Sequence, residues 1–224
     1  MTGKAVIFDM DGVIFDSERM VLDCWEKVGE KYHLSDIREV LTECIGTNKE
    51  RTKEIIYEHY GESFAYDKLA KEASLLYHDA VKADGLPVKK GVRELLEYLK
   101  QNEISVGLAS STRLAVVEEE LKQAGLYDYF LVVVGGDQLK RSKPNPDIYL
   151  MTCEKMKVLP KDAYAIEDSY NGIRAAHSAG MMPVMVPDIL PATVEMQKMS
   201  VIVLENLLQV EEYFRQERQT DGNT

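Results

Sequence analysis

Short apolar runs alternate with stretches in which apolar residues recur every three or four positions, and this alternation covers most of the chain. Ala5-Val6-Ile7-Phe8 is an unbroken apolar run of strand length, as expected of a parallel strand buried on both faces. The period then changes. Met20, Val21, Cys24, Trp25, Val28 and Tyr32 fall on one helical face. Ile55, Ile56 and Tyr60 mark a second helix, and Leu69, Ala73, Leu76, Tyr77 and Ala80 a third. Little between residues 17 and 83 reads as strand. From Pro87 onward both periods alternate. Residues 104–109, 131–134, 163–166, 183–186 and 201–204 read as strands. Between them, helices are marked by Val92, Leu95, Leu96 and Leu99, by Val116, Val117, Leu121 and Ala124, by Ile148, Tyr149 and Met156, and by Ile173, Ala176 and Ala179. A last helix carries Leu207, Leu208 and Phe214. Gly125 and Gly180 stand where two of these helices should stop.

Strands alternating with helices predict an α/β fold: a doubly wound, parallel-sheet (Rossmann-like) core. The helical stretch interrupts it directly after the first strand. The predicted organisation is therefore a core built from residues 1–15 and 85–224, with an inserted small helical cap domain at 16–84. Residues 12–16 and 83–88 would connect the two, and the insert could hinge on them.

Composition narrows the function classes. The formal net charge of −11 argues against a nucleic-acid partner. It also means that an anionic substrate needs a local cation. Cys24, Cys44 and Cys153 lack metal-ligand spacing and read as reduced, small apolar residues. His33, His59, His78 and His177 show no metal spacing either. No apolar run reaches the ~20 residues of a membrane span. With a strand starting almost at once and no leader pattern, a cytoplasmic protein is expected. No coiled-coil pattern is present, and a monomer is expected.

The candidate chemistry lies at the strand ends, where open α/β sheets bind ligands. The first strand runs into Asp9-Met10-Asp11-Gly12, two carboxylates one residue apart before a turn glycine. The second ends in Ser110-Ser111-Thr112, followed by Arg113. One of these hydroxyls can cap the next helix, and a hydroxyl with free N–H groups at a helix start also suits an anion. Lys143 sits in a loop stiffened by Pro144 and Pro146, a compact charge suited to phosphate. The strand at 163–166 ends in Glu167-Asp168-Ser169. These acids can serve a helix N-terminus, or, on an edge shared with Asp9 and Asp11, a hard cation such as Mg2+.

These ordered motifs resemble those of the haloacid dehalogenase-like (HAD) superfamily, and within it the chain is most similar to the β-phosphoglucomutase-like phosphatases. The motifs are Asp9-Met10-Asp11-Gly12-Val13, Ser110 after an apolar strand, Lys143-Pro144 and Glu167-Asp168-Ser169. The resemblance implies a Mg2+-dependent phosphatase acting on a small phosphomonoester, a sugar or polyol phosphate, through an aspartyl-phosphate. Asp9 would be the nucleophile and Asp11 the acid–base. Mg2+ would be held by Asp9, the Asp11 carbonyl and Asp168, with Glu167 acting directly or through water. Ser110, Ser111, Lys143 and neighbouring N–H groups would hold the phosphoryl oxygens. Arg113 can also face the substrate. Lys49 stands where related mutases carry an arginine for a second phosphate. Val21 stands where they carry a histidine, which argues against mutase activity. Dehalogenases of the superfamily lack a carboxylate at the position of Asp11. A phosphosugar isomerase and a non-catalytic phosphometabolite-binding protein are the alternatives.

Overall fold

The computed structural model describes residues 5–45 and 49–221. It divides into two compact units, residues 1–15 with 87–224 and residues 16–86.

The first unit starts with strand β1 (Ala5–Phe8), every residue of which is buried. The second unit is helical throughout: α1 (Ser17–Tyr32), α2 (Ile37–Glu43), α3 (Lys49–Tyr60) and α4 (Tyr66–Asp84). Its own apolar stripes form its interior, with Leu22, Trp25, Val28, Ile37, Val40, Ile56, Leu69 and Ala73 buried. Trp25 stacks on Tyr66 with centroids 6.0 Å apart. The helix α2 is absent from the sequence expectation. It has seven residues, and its N-cap, Asp36, makes no capping bond. The Asp36 carboxylate instead accepts from Tyr60 Oη at 2.7 Å and lies 2.7 Å from His59 Nε2, which pins the end of α3. A short helix held by such tertiary bonds leaves little periodic trace.

The chain then returns to the first unit through α5 (Val92–Gln101), β2 (Ser105–Ser110), α6 (Leu114–Gln123), β3 (Val132–Gly135), α7 (Asp147–Met156), β4 (Ala163–Glu167), α8 (Tyr170–Ser178), β5 (Met182–Met185), α9 (Val194–Met199), β6 (Ile202–Val203) and α10 (Leu207–Asp221). The helix α9 is also unforeseen. Thr193 caps it by accepting from Met196 N, and Met196 is buried beside Ile173 and Met185.

The strands form one six-stranded sheet in the order β3-β2-β1-β4-β5-β6, with every pairing parallel. This is the doubly wound, Rossmann-like α/β core expected from the sequence. The order reverses between β1 and β4, which opens a crevice at their carboxyl ends. Phe8 pairs with Leu108 on one side and with Ile166 on the other. The next residue of each strand, Asp9, Ala109 and Glu167, therefore shares one level at that edge. All three cysteines are buried, and none is bridged to another. No described helix is long and apolar enough to cross a membrane.

Candidate active site

The end of β1 turns at once. Gly12 N–H donates to Phe15 O at 2.9 Å, and Met10 O accepts from the N–H groups of Ile14 and Phe15. Gly12 adopts φ +77°, and a Cβ there would lie 2.2 Å from Asp168 Oδ2. Only glycine allows both the turn and the close approach of the second acidic strand end.

Asp9 is 8% exposed. Its Oδ1 accepts from Lys143 Nζ at 2.5 Å. The same ammonium donates to Glu167 Oε1 at 2.6 Å and to Ala109 O at 3.2 Å, and lies 5.0 Å from the Tyr149 ring centroid. The Lys143–Pro144 peptide is cis. Burial pushes the Asp9 carboxyl well above its usual range, against the pull of Lys143. Burial also opposes the charge on Lys143, yet the carboxylates of Asp9 and Glu167 hold it above the ordinary lysine range.

Glu167 is fully buried and well bonded. Oε1 accepts from Lys143 and from Tyr149 Oη, and Oε2 accepts from Ser169 N at 3.3 Å and Ser169 Oγ at 3.0 Å. Ser169 in turn caps α8 by accepting from Gly172 N. The acid pair therefore does not cap the helix; the serine after it does.

Asp9, Glu167 and Asp168 each bring a carboxylate oxygen within 4.8 Å of the others. Lys143 bonds two of these three buried acids, and all the clustered donors are hard oxygens. Such a set fits a divalent cation like Mg2+.

Asp11 is partly exposed, and its Oδ2 accepts from Thr112 Oγ1 at 3.1 Å. Ser110 is fully buried, and its Oγ accepts from Thr112 N at 3.0 Å. Ser111 and Arg113 are exposed. Arg113 is the N-cap residue of α6 and makes no capping bond. Lys49 begins α3, but its side chain, like residues 46–48, lies outside the described residues.

Two residues near these acids escaped sequence reasoning. Tyr149 reads as one more apolar helix position, although a buried phenol needs a partner for its hydroxyl. Thr112 reads as a helix cap, and its bond to Asp11 spans 101 residues.

Comparisons with known proteins place the chain in a family. Residues 6–186 match the haloacid dehalogenase-like hydrolase family. The chain belongs to the haloacid dehalogenase-like hydrolases. It is 34% identical over 181 residues to the phosphorylated carbohydrates phosphatase of Thermotoga maritima, covering 80% of this chain and 82% of that one. It is 33% identical over 224 residues to the β-phosphoglucomutase of Bacillus subtilis, covering 95% and 97%. The solved β-phosphoglucomutase of Clostridium difficile superposes with a TM-score of 0.70 at 26% identity, covering 98% of each chain.

Proposed function

We propose that this chain is a Mg2+-dependent phosphatase that hydrolyses a small phosphomonoester, a sugar or polyol phosphate, through an aspartyl-phosphate on Asp9. The observation that carries this reading is the Asp9 carboxylate, anchored through Oδ1 by Lys143 at 2.5 Å and set beside Asp168 at the edge of the sheet. A carboxylate fixed in this way is a nucleophile aimed by a cation, and the cation also neutralises an incoming phosphate.

In this reading Asp9 attacks phosphorus while Asp11 gives a proton to the leaving alkoxide. Asp11 then takes a proton from the water that hydrolyses the intermediate. Ser110, Lys143 and nearby N–H groups hold the phosphoryl oxygens, where charge spreads in the transition state. Ser111 and Arg113 lie at the exposed rim of that loop. Asp9, Asp168 and the Asp11 carbonyl hold Mg2+, which when bound offsets repulsion between the carboxylate and the phosphate. Glu167 orients Lys143 from behind, since its two oxygens already accept from Lys143, Tyr149 and Ser169.

The name of the Thermotoga relative supports a phosphorylated carbohydrate as the substrate class. The name of the Bacillus relative supports a second reading, a phosphosugar isomerase. Against it stands Val21, an apolar residue 40% exposed on α1.

The test is phosphate release from a panel of sugar, polyol, nucleotide and inorganic phosphates, with Mg2+ and with chelator. Mg2+-dependent release from a narrow set of sugar or polyol esters, lost in Asp9→Asn, is the expected result. Interconversion of glucose monophosphates without net release would favour the isomerase.

A further inference from the structure

None of the three hydroxyls before α6 caps it. Its first amide, Leu114 N–H, donates instead to Asp137 Oδ1 at 2.8 Å, a carboxylate reaching in from the turn after β3. Capping from outside leaves the Thr112 hydroxyl for another use.

The backbone around Thr112 is held on both sides. Its N–H donates to Ser110 Oγ at 3.0 Å, and its carbonyl accepts from Gly136 N at 2.8 Å. The glycine pair after β3 packs directly on this loop. A Cβ at Gly136 would lie 2.2 Å from Ser111 O, and one at Gly135 would lie 2.3 Å from Leu114 N. A β-branched side chain on a fixed backbone has few rotamers. Thr112 Oγ1 is thus fixed, and it donates to Asp11 Oδ2 at 3.1 Å.

We propose that Thr112 is a positioning residue whose hydroxyl holds the Asp11 carboxyl group where it hands a proton to the leaving alcohol. The inference rests on the phosphatase reading. In the first step a bond forms between Asp9 and phosphorus, the bond from phosphorus to the ester oxygen breaks, and the proton of Asp11 goes to that oxygen. In the second step water attacks phosphorus and gives its proton to Asp11, and Asp9 departs as a carboxylate with release of inorganic phosphate. Asp11 therefore alternates between acid and carboxylate. A hydroxyl suits both forms, because it can donate to one and accept from the other.

The experiment compares wild type, Thr112→Val and Thr112→Ser on two esters. One is the alkyl monoester turned over fastest in the phosphate-release panel. The other is dinitrophenyl phosphate, whose leaving group needs no proton. Thr112→Val should lower kcat on the alkyl ester by about 10- to 100-fold, as misplacement of a reacting group does. The dinitrophenolate burst, the KM, inhibition by inorganic phosphate and Mg2+ affinity by calorimetry should stay within about twofold of wild type. Thr112→Ser should restore most of the rate.

A dinitrophenolate burst slowed as much as the alkyl ester, or weaker phosphate inhibition in proportion to the loss, would mean that Thr112 binds phosphate, and would overturn the proposal. An unimpaired Thr112→Val protein would overturn it alone. A wild type inert on both esters would overturn the phosphatase reading, and this inference with it.

Discussion

Tyr149 and Lys143 meet at one atom, Oε1 of Glu167, each donating to it from 2.6 Å. Tyr149 is fully buried, and its phenol is held protonated by that burial and by the Glu167 charge beside it. It is therefore a permanent donor. Tyr149→Phe keeps the ring under the ammonium and removes only the hydroxyl. We expect a loss of about 1–3 kcal/mol, the usual cost of depriving a buried charged acceptor of a bond. The readout is a lower urea midpoint at unchanged m-value. An unchanged midpoint would mean that Glu167 is satisfied without it.

Gly172 makes a second, steric case. An added Cβ would lie 1.9 Å from both Cδ and Oε1 of Glu167. Alanine is otherwise the better helix residue, so propensity alone predicts a gain. The clash reverses the sign. Gly172→Ala should cost at least about 1–3 kcal/mol, as overpacking does, and lower phosphate release with it. Gly180→Ala is the control. A Cβ there meets open space, so only the strain of φ +78° acts, about 1–2 kcal/mol. If Gly172→Ala leaves phosphate release unchanged, the position of Glu167 does not matter to the chemistry.

Asp168 and Glu167 are adjacent in the chain but not equivalent. Both oxygens of Glu167 take bonds from protein donors within the interior, and Asp168 stands against Gly12 in the turn after β1, beside Asp9. Asp168→Asn should therefore weaken Mg2+ binding by more than about 100-fold, while Glu167→Gln weakens it by about tenfold, as second-sphere changes do. Calorimetric titration with Mg2+ reads both. Equal losses would make Glu167 a direct ligand.

The sheet was legible because parallel strands buried on both faces write themselves as apolar runs. The carboxyl-edge acids were legible because two carboxylates at a strand end are conspicuous. The helices α2 and α9 were not, since each is short and each is held by distant partners, Asp36 to α3 and Met196 to Met185. The hydroxyl loop after β2 shows the same limit. Its serines and threonine suit a cap, and nothing local reveals that Asp137 already does that work from another strand end. Likewise Tyr149 falls on the apolar face of α7, and only the fold shows that its hydroxyl serves Glu167.

Glu120 supplies a pH dependence. It lies on α6, and among the described residues its buried Oε2 has no hydrogen-bond partner. Burial, together with the charges of Asp11 and Glu119, raises its pKa to about 7 from an ordinary 4.5. A carboxyl group with a raised folded value favours the folded state when protonated. Below about pH 4 it carries its proton in both states and costs nothing. As pH rises toward 7 the unfolded chain releases the proton while the folded chain keeps it, and stability falls. Above 7 the penalty is complete. The side chain is only half buried, so solvent screening keeps the effect smaller than the shift alone implies. Glutamine has the same shape and no charge to bury. In chelator, the melting temperature of Glu120→Gln relative to wild type should therefore rise as pH goes from 4 to 8. A difference that stays constant across that range would show that Glu120 titrates normally and that its surroundings are wetter than the packing of α6 suggests.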